Sequence, residues 1–99
     1  MWHHDLVSDD RDETVKELLE AVEDLRAQDR RLLRVAAALY EASKEGVRQV
    51  DLVAMTGYTR EQIRRHIEDE RIRRGEIPPT ARYLKNLERA EKRTRYARP

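Results

Sequence analysis

The thirty residues from Gly46 to Gly75, GVRQVDLVAMTGYTREQIRRHIEDERIRRG, constrain the chain most, because they specify two short helices and the break between them. Gln49 to Met55 reads as a first helix with Leu52 and Val53 on one side. The break falls at Thr56-Gly57-Tyr58, where Gly57 can take the positive φ that a residue with a side chain resists. Thr59 then opens a second helix, and the spacing Thr59-x-x-Gln62 is that of a capping box, which satisfies two orphan amide donors. Ile63 and Ile67, four apart, form its inner face, while Arg60, Glu61, Arg64, Arg65 and Glu68 fall on the flanks and outer side.

Upstream, Met1 to Val7 is short and mixed, with Trp2 and Leu6 as anchors. The adjacent His3 and His4 point about 100° apart on a helix and lack a third ligand, so no metal site is expected there. A helix begins near Asp9, with Ser8, Asp9 and Asp10 as candidate caps and acids crowding its first turns, where the helix dipole favours them. Val15, Leu18, Leu19, Val22 and Leu25 make an apolar stripe that continues in heptad register. Val15, Val22, Asp29 and Ala36 share one position of that register, and Leu18, Leu25, Leu32 and Leu39 share the other. Either one helix runs from about Asp12 to Lys44, or two helices meet at Ala27-Gln28-Asp29 with Asp29 capping the second. The break is favoured here, because an Asp in an apolar seam is destabilising and Asp caps well. Arg30 to Lys44, apolar around more than one face, is expected to be the most buried helix, ended by Gly46.

Downstream, the second helix of the central pair is expected to run toward Gly75. Ile72 falls nearly opposite Ile63, so either the helix bends near Arg71 or Ile72 packs on another element. Pro78-Pro79 closes the segment, and Thr80 or Pro79 opens a last helix with the narrow stripe Tyr83, Leu84, Leu87 and Ala90. Arg82, Lys85, Arg89, Lys92, Arg93, Arg95 and Arg98 make that helix and tail strongly basic. The fold class is all-α with four to five helices. Its three segments are an acidic N-terminal helix (1–28), a central domain (29–76) and a basic C-terminal helix and tail (77–99).

Charge separates these segments more sharply than the net +1 suggests. Residues 1–29 carry ten acids against three bases, for −7, and residues 30–99 carry eighteen bases against ten acids, for +8. Such asymmetry is expected of a nucleic-acid module joined to an acidic partner segment. With 41% charged and 38% hydrophobic residues and no Phe, the core must be thin, and the chain gains from dimerisation or a bound partner. The absence of cysteine excludes disulfides and thiolate metal sites and suits a reducing cytoplasm. No apolar run approaches the ~20 residues of a membrane span, and no secretory signal is recognised.

The central stretch resembles a helix-turn-helix of small bacterial and phage DNA-binding proteins and of the last region of sigma factors. Gln49 opening the first helix, Leu52 as its core aliphatic, Gly57 in the turn, Thr59 as cap and Ile63 in the second helix carry the resemblance. It departs at Val53, where Ala is usual, and at Arg48, where Ser is usual. The resemblance implies a small transcriptional regulator, cytoplasmic and associated with the nucleoid, that reads double-stranded DNA through the major groove and acts as a homodimer. Thr59, Arg60, Glu61, Arg64, Arg65 and Glu68 match the groove-facing positions, and Arg48, Gln49, Tyr58 and Thr59 are placed to touch phosphates. Arg60, Arg64 and Arg65 are the expected main contacts, with a guanine edge as target, and Glu61 either accepts from a cytosine amine or orients an arginine. The basic last helix, with Arg82 and Lys85, is expected to add a backbone or minor-groove contact. The acidic N-terminal helix forms a dimer seam, masks the basic region or docks a protein partner. That last option belongs to a rival reading, an adaptor or antitoxin-like interaction module.

Catalysis finds no support in the residues. His3, His4 and His66 have no cysteine and no Ser-His-Asp arrangement beside them, and there is no Gly-rich phosphate loop. The carboxylates interleave with arginines at helical spacings, the pattern of exposed ion pairs. An enzyme is therefore not expected, nor any cofactor.

Overall fold

A computed structural model describes residues 9–96 as four helices, with no strand among them. They are α1 (Asp9–Lys44), α2 (Gln49–Thr56), α3 (Arg60–Arg73) and α4 (Ala81–Tyr96). The all-α expectation is met. Trp2, Leu6, His3, His4, Ser8 and Arg98 lie outside the described residues.

The expected break at Ala27-Gln28-Asp29 is absent, and α1 is a single helix of 36 residues. The correction has a physical cause. Nothing in 27–29 disfavours helix strongly, and the Asp29 carboxylate accepts two hydrogen bonds from Arg93 of α4, each 2.9 Å, instead of capping a new helix. At 1.5 Å per residue α1 is about 54 Å long, which accounts for most of the molecule's 61 Å longest dimension.

The core lies toward the C-terminal end of α1. Leu39 of α1, Leu52 of α2 and Ile63 of α3 form its centre, with Val35, Ala42, Val53, Tyr58 and Ile67 packed around them. Ile63 has no exposed surface at all. Ala36 and Tyr40 are also buried on α1, but Leu33 is 48% exposed, so this part of the helix is not covered all round. Further from the core, the N-terminal half of α1 leaves its apolar stripe in solvent: Leu18 is 61% and Leu25 46% exposed.

The turn between α2 and α3 follows its local chemistry. Gly57 sits at φ 76° and its N–H bonds the Val53 carbonyl, ending α2. The Thr59 hydroxyl accepts from the Gln62 N–H at 3.1 Å, while the Gln62 side chain accepts from the Thr59 N–H at 2.9 Å. Both halves of the capping box are therefore made.

α3 continues through Arg71 and ends at Arg73, and Ile72 is buried outside the Leu39–Leu52–Ile63 cluster. Gly75, at φ 79°, lets the chain reverse there, with the Gly75 N–H on the Ile72 carbonyl and the Glu76 N–H on the Arg71 carbonyl. That reversal carries Glu76 back to α1, where it accepts a hydrogen bond from the Tyr40 hydroxyl. Thr80 caps α4 by accepting from the Tyr83 N–H at 3.1 Å.

Candidate nucleic-acid interface

The exposed side of α3 is held by the opposite side. Glu70 lies seven residues after Ile63, hence on the same helical face, and is buried with it. It accepts from Arg73 at 3.1 Å and from Arg74 at 2.8 Å, and Arg74 reaches on to Glu41 of α1 at 3.0 Å while lying 4.0 Å from the Tyr40 ring centre. Burial opposes ionisation of Glu70, but the hydrogen bonds from Arg74 and Arg73 outweigh it and hold its pKa below the ordinary value. This cluster clamps the C-terminal end of α3 to α1 and was not anticipated from the sequence. Its signal was there, in the seven-residue spacing from Ile63.

On the outer side, Glu61 sits between two arginines. Arg64 forks onto its carboxylate at 2.6 and 3.1 Å, and Arg65 Nε reaches it at 3.0 Å. The Arg64 hydrogen bonds foremost, against a desolvation penalty and with help from Arg65, lower the Glu61 pKa to about 2. Glu61 is thus engaged in orienting arginines. Arg60 is exposed and makes no ion pair among the described residues. A shallow groove of about 490 Å³ is lined by Gln49 of α2, Arg60, Glu61, Arg64 and Glu68 of α3, and Ile77 beyond it.

The remaining candidates are placed as follows. Arg48, the N-cap of α2, pairs with Asp51 in the first turn of that helix at 3.3 Å. Thr59 is occupied as the cap of α3, and Tyr58 stacks on His66, ring centres 5.0 Å apart. Burial lowers the His66 pKa, with Asp69 opposing and Arg73 and Arg82 adding to the shift. Arg65 turns toward a second, larger cleft between α1, α3 and α4. Arg82 lies in that cleft too and bridges α4 to α3, at 2.7 Å from Asp69 and 3.1 Å from Glu68. Its guanidinium ties the fold together, and it is not gathered with Gln49, Arg60 and Arg64. Lys85 is exposed on α4 and has no ion pair among the described residues.

Among the described residues no group of three or more His, Cys, Asp or Glu could hold a metal ion, and no helix is long and apolar enough to cross a membrane. No family model matches this chain, and neither a curated protein nor a solved structure shows significant similarity to it.

Proposed function

We propose that this protein binds double-stranded DNA in a sequence-specific way and acts as a small dimeric transcriptional regulator, with α3 entering the major groove. The observation that carries the reading is the outer face of the capped α3. There Arg60 stands exposed and unpaired among the described residues, and Glu61 holds Arg64 in fixed geometry while also binding Arg65 at the edge of the neighbouring cleft. A preorientated arginine fork suits the O6 and N7 acceptors of guanine, and the exposed cations beside it suit phosphates. Gln49, across the groove from Arg60, is the nearest candidate from α2 for the backbone.

The test is a titration on random-sequence duplex pools at two salt concentrations, with sequencing of the bound fraction. An enriched motif and a steep salt slope are expected. Arg64→Ala should then weaken binding to the enriched site by about 1–3 kcal/mol. Unchanged affinity of that variant would remove Arg64 as a base reader, and no binding at low salt would remove the DNA reading.

A second reading has its own observation. The exposed Leu18, Leu19 and Leu25, flanked by acids, suit a helical interaction module that docks a protein through the N-terminal half of α1. That reading predicts neither salt-dependent DNA binding nor a preferred duplex sequence.

A further inference from the structure

One apolar stripe runs the length of α1, but the protein itself covers only part of it. Ala36 and Leu39 are buried, whereas Leu18 and Leu25, on the same heptad positions as Leu32 and Leu39, are not. A contiguous face of this kind on an otherwise highly charged helix needs a partner. We propose that the partner is a second copy of this chain. The two α1 helices pack antiparallel about a two-fold axis near Leu25, and the N-terminal half of each lies in the other's cleft between α1 and α4.

Charge sets the polarity. Residues 11–25 of α1 carry six acids against two bases, for −4, and residues 26–40 carry four bases against one acid, for +3. A parallel pair would place −4 beside −4 along the free half of the helix. An antiparallel pair places −4 beside +3 at both ends, and adds the neighbouring α4, where six bases face two acids for +4.

The cleft has the form the arm requires. It measures about 630 Å³, its floor is Leu32, Leu33 and Ala36 of α1 with Leu87 and Ala90 of α4, and Arg89 stands on its rim. Leu33 and Leu87 are 48% and 42% exposed, so these two side chains are uncovered in the single chain, while Ala36 at the base of the cleft is buried. Arg89 makes no ion pair among the described residues and is available to the acids of an incoming arm. Arm and cleft sit on the same chain, so one two-fold operation satisfies both at once, which is the self-complementarity of an isologous dimer.

The inference builds on the dimer of the proposed function; the experiment uses the full chain without DNA, so its failure removes that dimer and leaves duplex binding standing, while a failure of duplex binding leaves the dimer standing. The chain has no cysteine, which makes single-cysteine variants at exposed positions clean probes. With a bismaleimide linker of about 10 Å, Leu25→Cys should cross-link to itself. Leu18→Cys should not, because antiparallel packing separates the two copies of residue 18 by about 20 Å along the axis. A mixture of Leu18→Cys with Leu33→Cys should cross-link. Sedimentation equilibrium should show a dimer whose dissociation constant rises with salt and rises about tenfold in Arg89→Glu. A monomer at every concentration overturns the proposal. Self-cross-linking of both Leu18→Cys and Leu25→Cys, the mark of a parallel seam, also overturns it. So does a dimer indifferent to Arg89→Glu.

Discussion

Arg93 and Asp29, sixty-four residues apart, meet through two parallel hydrogen bonds of 2.9 Å that join the end of α4 to the middle of α1. This pair explains why an acidic residue sits in an otherwise apolar heptad position without breaking the helix. It also brings the C-terminal part of α4 onto α1, so that α4 contributes one wall of the cleft between α1, α3 and α4.

If Asp29 acts through Arg93, the two substitutions must be strongly coupled. Asp29→Ala in the native background should destabilise the fold by about 1 kcal/mol, as expected of a partly exposed bidentate pair. In an Arg93→Ala background the same change should be close to neutral. Urea unfolding of the four proteins in the double-mutant cycle measures this. An Asp29→Ala loss that persists without Arg93 would return Asp29 to a local role within α1.

Ile63 is the only fully buried large side chain among the described residues, and it touches both α1 and α2 through Leu39 and Leu52. Ile63→Ala should lose about 2–5 kcal/mol, a large share of the stability of a domain with so thin a core. Ile63→Val should lose about 0.5–1.5 kcal/mol. Chemical denaturation of both variants gives the comparison, and equal losses would argue against close packing at this site.

What could be read from the sequence was what neighbouring residues decide. Gly57 and the Thr59–Gln62 box act within four residues of themselves, and their geometry follows from backbone sterics and orphan amides alone. From local sequence alone, Asp29 suits a helix cap and Arg82 a DNA-backbone contact, because those are what such residues do locally. Their partners, Arg93 and Asp69, are brought to them only by the packing of α4. Glu70 stands between these cases. Its spacing from Ile63 marked it as inward-facing, but the arginines that make burial tolerable became visible only with α3 docked on α1. On the outer face, the arginines of α3 were legible as exposed cations, and the carboxylate that orients two of them became a specific finding only with distances in hand.

Acid should weaken the fold partly through Glu61. Its pKa is about 2 in the folded protein against an ordinary 4.5, so the unfolded chain binds the proton more readily. A depressed folded pKa contributes stability that is fully present above about 4.5 and is lost as the pH falls toward 2. Glu70 and Glu76, both lowered, act in the same direction. Thermal unfolding followed by circular dichroism should show the melting temperature dropping between pH 5 and about pH 2.5, with a shallower drop in Glu61→Gln. Parallel curves for the two proteins would mean that the Arg64–Glu61–Arg65 cluster adds nothing to stability in solution.

The two arginines Arg60 and Arg82 should separate binding from folding. Arg60 is exposed and unpaired among the described residues, so under the DNA reading Arg60→Ala should reduce the magnitude of the salt slope of binding by about 1 and leave unfolding nearly unchanged. Arg82 holds α4 to α3 through Asp69 and Glu68 and is two-thirds shielded from solvent. Arg82→Ala should therefore destabilise the protein by about 1–3 kcal/mol, since it leaves two partly buried carboxylates without their donor. It should leave the salt slope as it was. The paired measurements are a salt series of duplex titrations and a urea unfolding curve for each variant. If Arg82→Ala flattens the salt slope while stability holds, the guanidinium leaves its carboxylates to meet phosphate, and the basic face of α4 belongs to the DNA interface after all.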